Sequence, residues 1–274
     1  MSSYYTIEQL EKNKTLGDRG IIYIVFGKEY VKEAIFSAES VKRFSPGIPI
    51  IFFTDNPNML TGNKFVDGVI PINPQHQRAK VDYIGFSPFK NTIYLDSDTC
   101  IVRDISDMFD ILEKFDIAGI HDFARKREKY SKLVPDYSKI PYGFSEINGG
   151  VFAFKRGQKT CDFFNLWRQK FYENYQKTNG WDQISLRIAL WQSNLSLYVL
   201  PIEYNVRGKD NRAKLDLPQV KADNGKNHLK PRILHMHAAK NDKLGKVKSI
   251  HQGKYDIETF EEFYNYCINN YYRY

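Results

Sequence analysis

Two carboxylates stand two residues apart in Asp96-Ser97-Asp98, directly after the apolar, β-favouring run Thr92-Ile93-Tyr94-Leu95. A buried strand that ends in acidic residues delivers them to the carboxyl edge of a parallel sheet, where α/β folds bind ligands. Hard cations such as Mg²⁺ or Mn²⁺ take oxygen ligands and are commonly shared between one or two protein carboxylates and substrate phosphates. The triplet therefore points to a divalent cation held on a phosphorylated ligand. Read alone, the same residues could cap the next loop by accepting backbone N–H groups; the apolar strand in front of them favours the metal.

Three other places carry residues of chemical interest. His235 and His237 alternate along Ile233 to His237, so they face opposite sides and at most one can reach a given site. Asn148-Gly149-Gly150 combines an amide side chain with two residues that lack Cβ, which permits close approach of a bulky ligand, although a plain turn has the same composition. Asp182 stands where a helical pattern begins and suits a helix cap as well as a ligand contact.

Strand and helix patterns alternate around these residues. Ile21 to Phe26 is a continuous apolar run ending at Gly27, the pattern of a strand buried on both faces. From Lys28 to Phe44, Val31, Ala34, Ile35, Ala38 and Val41 recur at helical spacing, and Pro46-Gly47 ends the segment. Ile48 to Phe53 is a second buried run, closed by the turn residues Thr54-Asp55-Asn56-Pro57. Together these make a βαβ unit. Further strands are expected over 65–70, 92–95, 116–120, 151–154, 197–200 and 233–237, and helices over 77–86, 105–115, 182–191 and 257–272. Phe163, Phe164, Trp167, Phe171 and Tyr175 share one helix face and are read as core. A long polar loop over 121–146 is expected as a lid or acceptor-facing segment, and an irregular surface loop over 209–230.

The 274-residue chain is 42% hydrophobic and 15% aromatic, enough for a packed core and against disorder. No shift in composition marks a linker, so one domain over 1–274 is expected. The first long apolar run is far short of the ~20 residues of a bilayer span, and no charged-then-apolar leader precedes it. A cytoplasmic protein without a transmembrane segment is the expectation. Cys100, Cys161 and Cys267 lack Cys-x-x-Cys spacing, which suggests neither a disulfide framework nor a zinc knuckle. The net charge of +8 fits nucleic acid, an anionic membrane face or a phosphate-bearing ligand. Its one local cluster, Arg125-Lys126-Arg127-Glu128-Lys129, reads as a solvated loop.

The stretch Ser87-Pro88-Phe89-Lys90-Asn91-Thr92-Ile93-Tyr94-Leu95-Asp96-Ser97-Asp98-Thr99 resembles the signature of nucleotide-diphospho-sugar transferases with the GT-A fold, especially the glycogenin-like glycosyltransferase family 8 and its relatives. Asn148-Gly149-Gly150-Val151-Phe152 is similar to the Asn-x-Gly-Val segment that lines the donor sugar there. Trp181-Asp182-Gln183 resembles that group's Asp-Gln pair, and Ile233-Leu234-His235 its metal-binding histidine. These landmarks keep family order across about residues 21 to 240.

The resemblance implies an α/β fold: a single GT-A-type domain with a Rossmann-like, mostly parallel central sheet flanked by helices. The nucleotide-binding part would cover about 20–120, and the sugar and acceptor part about 121–274. Asp96, Asp98 and His235 would hold Mn²⁺ or Mg²⁺, with His237 as the ligand if the alignment shifts by two residues. Asn148, Asp182 and Gln183 would be the catalytic, sugar-side residues. Donor contacts are implied for Phe26, Gly27 and Tyr30 after the first strand, and for Thr54 and Asp55 after the second. Lys80, chosen over Arg78, Ser97, Gly149 and Lys240 would serve the diphosphate and sugar. The donor is a nucleotide-sugar, a UDP-sugar by family default; the acceptor is a glycan, protein or small molecule, with no nucleic acid involved.

Loss of a nucleoside diphosphate leaves negative charge on phosphate, which the cation and Lys80 would offset. Family 8 resemblance implies retention of anomeric configuration; inversion needs a carboxylate base, with Glu146 and Asp182 as candidates. Two other readings compete. Leu95-Asp96-Ser97-Asp98 also looks like the nucleophile motif of haloacid-dehalogenase-type phosphatases, but that motif wants Thr or Val where Cys100 stands, normally lies on the first strand, and needs a downstream Gly-Asp-x-x-x-Asp absent here. A non-catalytic basic nucleic-acid binder explains a pI near 9.1 but not the strand-end carboxylates.

Overall fold

Apolar runs on both faces of the central strands build one sheet between two cores. The computed structural model describes residues 17–207, 230–235 and 259–272. The strands are β1 (Gly17–Val25), β2 (Ile50–Thr54), β3 (Gly68–Pro71), β4 (Phe89–Leu95), β5 (Thr99–Ile101), β6 (Ile117–His121), β7 (Ile147–Lys155), β8 (Leu197–Val199) and β9 (Ile233–His235). The helices are α1 (Lys28–Phe44), α2 (Lys80–Tyr83), α3 (Met108–Ile111), α4 (Glu128–Leu133), α5 (Pro135–Lys139), α6 (Gln158–Thr178), α7 (Asp182–Gln192) and α8 (Phe260–Tyr272). Seven strands pair in the order β3-β2-β1-β4-β7-β6-β8, and β7 runs against the other six. The expected mostly parallel sheet flanked by helices is present.

Side chains alternate across the sheet with period two. Ile21, Tyr23 and Val25 of β1, Ile50 and Phe52 of β2, and Ile93 and Leu95 of β4 enter one core. Ile22, Ile24, Ile51, Phe53 and Tyr94 enter the other. The first is covered by α1 through Val31, Ala34, Ala38 and Val41. The second is covered by α6 through Phe163, Phe164, Trp167 and Phe171, with Tyr175 packed at its margin, as expected. Each large apolar side chain so buried contributes roughly 1.5–3 kcal/mol. Asn179 (φ 52°) and Gly180 (φ 67°) end α6 in the left-handed region. That pair turns the chain directly into α7 and places Asp182 at its first turn.

Four expectations change. The helix over 105–115 shrinks to the single turn α3, because the amides of Asp110, Leu112 and Glu113 bond three residues back, to Asp107, Phe109 and Asp110. The stretch 77–86 is α2 followed by a 3₁₀ turn over Ile84–Phe86. Residues 121–146 contain α4 and α5 and are anchored by fully buried Tyr137 and Glu146, with Phe123 and Tyr142 left exposed. The strand expected over 151–154 begins at Ile147, so Asn148, Gly149 and Gly150 lie inside β7 and not in a turn. His237, Lys240 and nearly all of the 209–230 loop lie outside the described residues.

Two connections aim the site. Asp96 leaves the end of β4 with its N–H donating to Gly150 O of β7 at 2.7 Å. The chain then folds back as β5, which pairs antiparallel with β9 in a separate two-stranded sheet. Their register sets Thr99 opposite His235. A residue 139 positions beyond Asp96 therefore arrives beside the acidic triplet through one strand pairing.

Candidate active site

Asp96, Asp98 and His235 each offer one ligand atom, and those atoms lie within 4.8 Å of one another. His235 Nε2 is 3.1 Å from Asp98 Oδ1. Two carboxylate oxygens and one imidazole nitrogen form a donor set that suits Mn²⁺ or Mg²⁺. Gly150 supplies a second sign of fit: a Cβ there would stand 2.5 Å from both Asp96 Oδ2 and His235 Cε1. Only glycine leaves room for these two side chains to converge. Ser97 lines the cleft between Asp96 and Asp98 and donates its hydroxyl to Glu33 Oε2 of α1 at 2.7 Å. Burial, reinforced by Asp98, pushes the Glu33 carboxyl well above the usual carboxylate range.

Lys80 stands over this centre from the start of α2. Its ammonium donates to Gly149 O at 2.8 Å, and lies 3.1 Å from Asp96 Oδ1 and 3.5 Å from Asp182 Oδ2. Burial would push the ammonium down, but Asp96 and Asp182 outweigh it and hold it above the usual lysine range. The same balance works on Asp182: burial raises its carboxyl, and Lys80 and Arg78 outweigh this to hold it low. Arg78 Nε is 3.3 Å from Asp182 Oδ1, so both cations considered for this helix reach the cleft. Tyr94 donates its hydroxyl to Asp96 Oδ1 at 2.5 Å, and burial together with Asp96 raises that phenol well above its ordinary value.

A cleft of about 510 Å³ opens over these groups. Phe26 and Tyr30 line it on the β1 side; Asn148, Gly149, Gly150, Trp181, Asp182 and Gln183 line it on the β7 and α7 side. Gln183 is tied to the β7 backbone, donating to Ile147 O and accepting Gly149 N–H at 3.3 Å. Gly27, Thr54 and Asp55 are not among the lining residues. Thr54 is fully buried and its hydroxyl accepts the Asn56 N–H at 3.1 Å. Asp55 accepts the Gly27 N–H at 3.0 Å and so ties the loop after β2 to the loop after β1.

Beside Asn148 the cleft is lined by a group that no sequence motif marks. Asp122, 3% exposed, accepts from Asn148 Nδ2 at 2.9 Å, Arg127 Nη2 at 2.9 Å and Arg207 Nη1 at 2.8 Å. Burial raises its carboxyl, but the two guanidinium groups outweigh this and hold it low. Arg127 also pairs with buried Glu146 and lies 4.4 Å from the centre of the Trp181 ring. The basic cluster read as a solvated loop is therefore structural: Lys126 donates to Ser138 O and Ile140 O, and Arg127 enters the cleft. Phe123, 68% exposed, stands at the mouth between Arg127 and Arg207. Asp122 and Arg127 sit in a polar stretch with no motif, and Arg207 follows the 3₁₀ turn Ile202–Tyr204 with none; only their shared target in space links them.

Comparison with solved structures places the fold. The galactosyltransferase LgtC, as an active-site mutant, is 14% identical with a TM-score of 0.54, over 79% of this chain and 86% of that one. The glycosyltransferase GlyE of Streptococcus pneumoniae TIGR4 is 16% identical with a TM-score of 0.57, over 92% of this chain and 61% of that one. Mouse xyloside xylosyltransferase 1 is 12% identical with a TM-score of 0.53, over 80% and 97%. At such identities the likeness is one of fold, and that fold is of the GT-A type. No curated protein sequence matches the chain. Residues 90–250 match the family described as nucleotide-diphospho-sugar transferase. Since this match takes in more than half of the sequence, from the strand that carries the acidic triplet to beyond His235, the chain belongs to the nucleotide-diphospho-sugar transferase family.

Proposed function

We propose that the chain transfers a hexose or pentose from a UDP-sugar to a hydroxyl group of a glycan, protein or small molecule, with a divalent cation held by Asp96, Asp98 and His235. The observation that carries this reading is the convergence of those three ligand atoms within 4.8 Å at the floor of the cleft. The cation would supply charge to the diphosphate as it departs. Lys80, kept cationic by Asp96 and Asp182, adds a fixed positive group beside it. Phe26 and Tyr30 are suited to the base, and Asp182, Gln183 and Asn148 to the sugar side. The phosphatase reading does not survive the family match, and a non-catalytic binder leaves the carboxylate and histidine cluster without a purpose.

The state of the carboxylates supports retention. Glu146, one candidate base, is fully buried and engaged by Tyr137 and Arg127. Asp182, the other, is held low by Lys80 and Arg78. Asp122 is held low by Arg207 and Arg127. Asp182 and Asp122 are thus held below the proton affinity that a general base near neutral pH needs, and Glu146 is occupied by its two partners. Without a base on the opposite face, the acceptor attacks from the side of the leaving group, and its proton departs on a phosphate oxygen.

A screen of nucleotide-sugars by thermal shift and by hydrolysis, with and without Mn²⁺, tests the reading. UDP-sugars should raise the melting temperature and be hydrolysed slowly only with the metal. Equal stabilisation and turnover with all metal removed would sink it.

A further inference from the structure

His235 reaches Asp98 with one ring nitrogen and Asn205 with the other. Nδ1 lies 2.7 Å from Asn205 Oδ1, and Nε2 3.1 Å from Asp98 Oδ1. A neutral imidazole offers a lone pair at Nε2 only when its proton sits on Nδ1, and the partner of that second nitrogen decides the tautomer. Here the partner is an amide, which could face the ring with either its oxygen or its NH₂.

The orientation of that amide follows from groups that cannot reverse. The backbone N–H of Gly150 donates to Asn148 Oδ1 at 3.0 Å, which fixes that atom as the carbonyl oxygen. Asn148 Nδ2 donates to the Asp122 carboxylate at 2.9 Å, an acceptor-only group, and this fixes the same orientation from the other end. Asn205 Nδ2 donates to Asn148 Oδ1 at 3.0 Å. With its NH₂ committed there, Asn205 turns its oxygen to Nδ1 at 2.7 Å, a shorter contact than the 3.1 Å from Nε2 to the competing acceptor Asp98 Oδ1, so the single proton of a neutral ring belongs on Nδ1. Backbone pairing holds Asn205 in place: Val206 N donates to Ile233 O at 2.9 Å, and His235 N donates to Val206 O at 3.0 Å. Asn205 is 1% exposed and Asn148 5% exposed, so water does not compete for these bonds.

We propose that Asn205 is a positioning residue for His235: through Asn148 and the Gly150 N–H it holds the imidazole as the Nδ1–H tautomer and turns the Nε2 lone pair toward Asp96 and Asp98. Its purpose rests on the metal reading above; the tautomer does not. The same amide pair joins the metal side of the cleft to Asp122 and its two arginines, so Asn148 serves both ends.

Metal-free protein carrying ¹⁵N-histidine, at a pH where the ring is neutral, shows the tautomer in two-bond ¹H–¹⁵N correlations, with His235→Gln identifying the signal. The expected pattern is Nδ1–H, and an Nε2–H pattern in the wild type overturns the proposal. Asn205→Leu removes the acceptor at similar size. It should release the ring to the Nε2–H form and weaken Mn²⁺ binding in the presence of UDP, read by the electron paramagnetic resonance of free Mn²⁺, by about 10–100-fold. Asn205→Asp keeps an oxygen toward Nδ1 and should keep the Nδ1–H form. Unchanged tautomer and Mn²⁺ affinity in a folded Asn205→Leu overturn the proposal. Should Asn205→Leu fail to fold, the wild-type spectrum and Asn205→Asp still decide. An Nδ1–H ring in a wild type that binds no Mn²⁺ would locate the failure in the metal reading, and would remove the purpose assigned to Asn205.

Discussion

Lys80 is the residue on which the charge balance of the cleft turns, since it is the cation shared by Asp96 and Asp182. Removing one partner of a buried ion pair leaves the other uncompensated, which costs ~3–5 kcal/mol when nothing replaces it. Arg78 remains beside Asp182, so Lys80→Met should destabilise the fold by no more than about 3 kcal/mol. On the role proposed above it should lower turnover more than it weakens nucleotide binding, because the lost charge would act as the diphosphate departs. Denaturant melts and steady-state kinetics on one sample check both, and a rise in KM with unchanged kcat would assign Lys80 to uniform binding instead. At this scale the sequence singled out residues that the fold brings to one cleft, as with the acidic triplet, Lys80, Asp182, Gln183 and His235. It was silent on Asp122, Arg127, Asn205 and Arg207. Their roles come from partners 5 to 85 positions apart, and charge in a polar loop looks the same whether it faces water or a buried carboxylate.

Among the elements, β7 decides most. Its Asn148-Gly149-Gly150 segment combines residues that usually signal a turn, and the sequence reading stopped the strand short of it. Glycine belongs inside this strand because the space of a Cβ at position 150 is taken by Asp96 and His235. Gly150→Ala should therefore leave the sheet formed but separate the two ligands, and metal-dependent UDP binding should fall at least about tenfold. Calorimetry with Mn²⁺ and a melting curve check this; wild-type affinity in the alanine variant would show that the two side chains need not meet. The helices were legible where an apolar stripe packs on the sheet, as in α1 and α6, whose faces the spacing of Val31, Ala34, Ala38 and Val41 and of the aromatics predicts. Trp167 is the largest fully buried side chain of α6, packed beside Phe152 and Phe163 and donating Nε1–H to Ser185 Oγ at 3.2 Å. Trp167→Ala should cost about 3–5 kcal/mol, measured as a shift in urea midpoint; a loss under about 1 kcal/mol would mean that α6 repacks.

For the molecule as a whole, acid should weaken the fold. Asp116 at the β6 edge accepts from Ser196 N and Oγ, and Lys155 lies 3.2 Å away. Burial raises its carboxyl, but the Ser196 bonds and Lys155 outweigh this and bring it to about 2. Asp82, Asp122 and Asp182 are also held below the usual range. A carboxyl held lower in the folded than in the unfolded chain stabilises above its unfolded value, and that stability is lost as pH falls through the folded one. Stability should thus decline between about pH 4 and pH 2. Asp116→Ala should cost ~1–3 kcal/mol at pH 7, with the difference from wild type shrinking toward pH 2. A pH-independent difference in melting would place the Asp116 contribution in packing and not in charge. Among the described residues, no helix is long and apolar enough to cross a membrane.

The central claim is that a nucleoside diphosphate binds this cleft through a cation on Asp96, Asp98 and His235. Calorimetric titration of UDP into the wild type and into Asp98→Ala, each with Mn²⁺ and again with EDTA, tests it most directly. UDP should bind the wild type with Mn²⁺, and binding should be lost with EDTA and in Asp98→Ala with either addition, while all samples keep the wild-type circular dichroism spectrum. Equal UDP affinity in all four titrations would contradict the account.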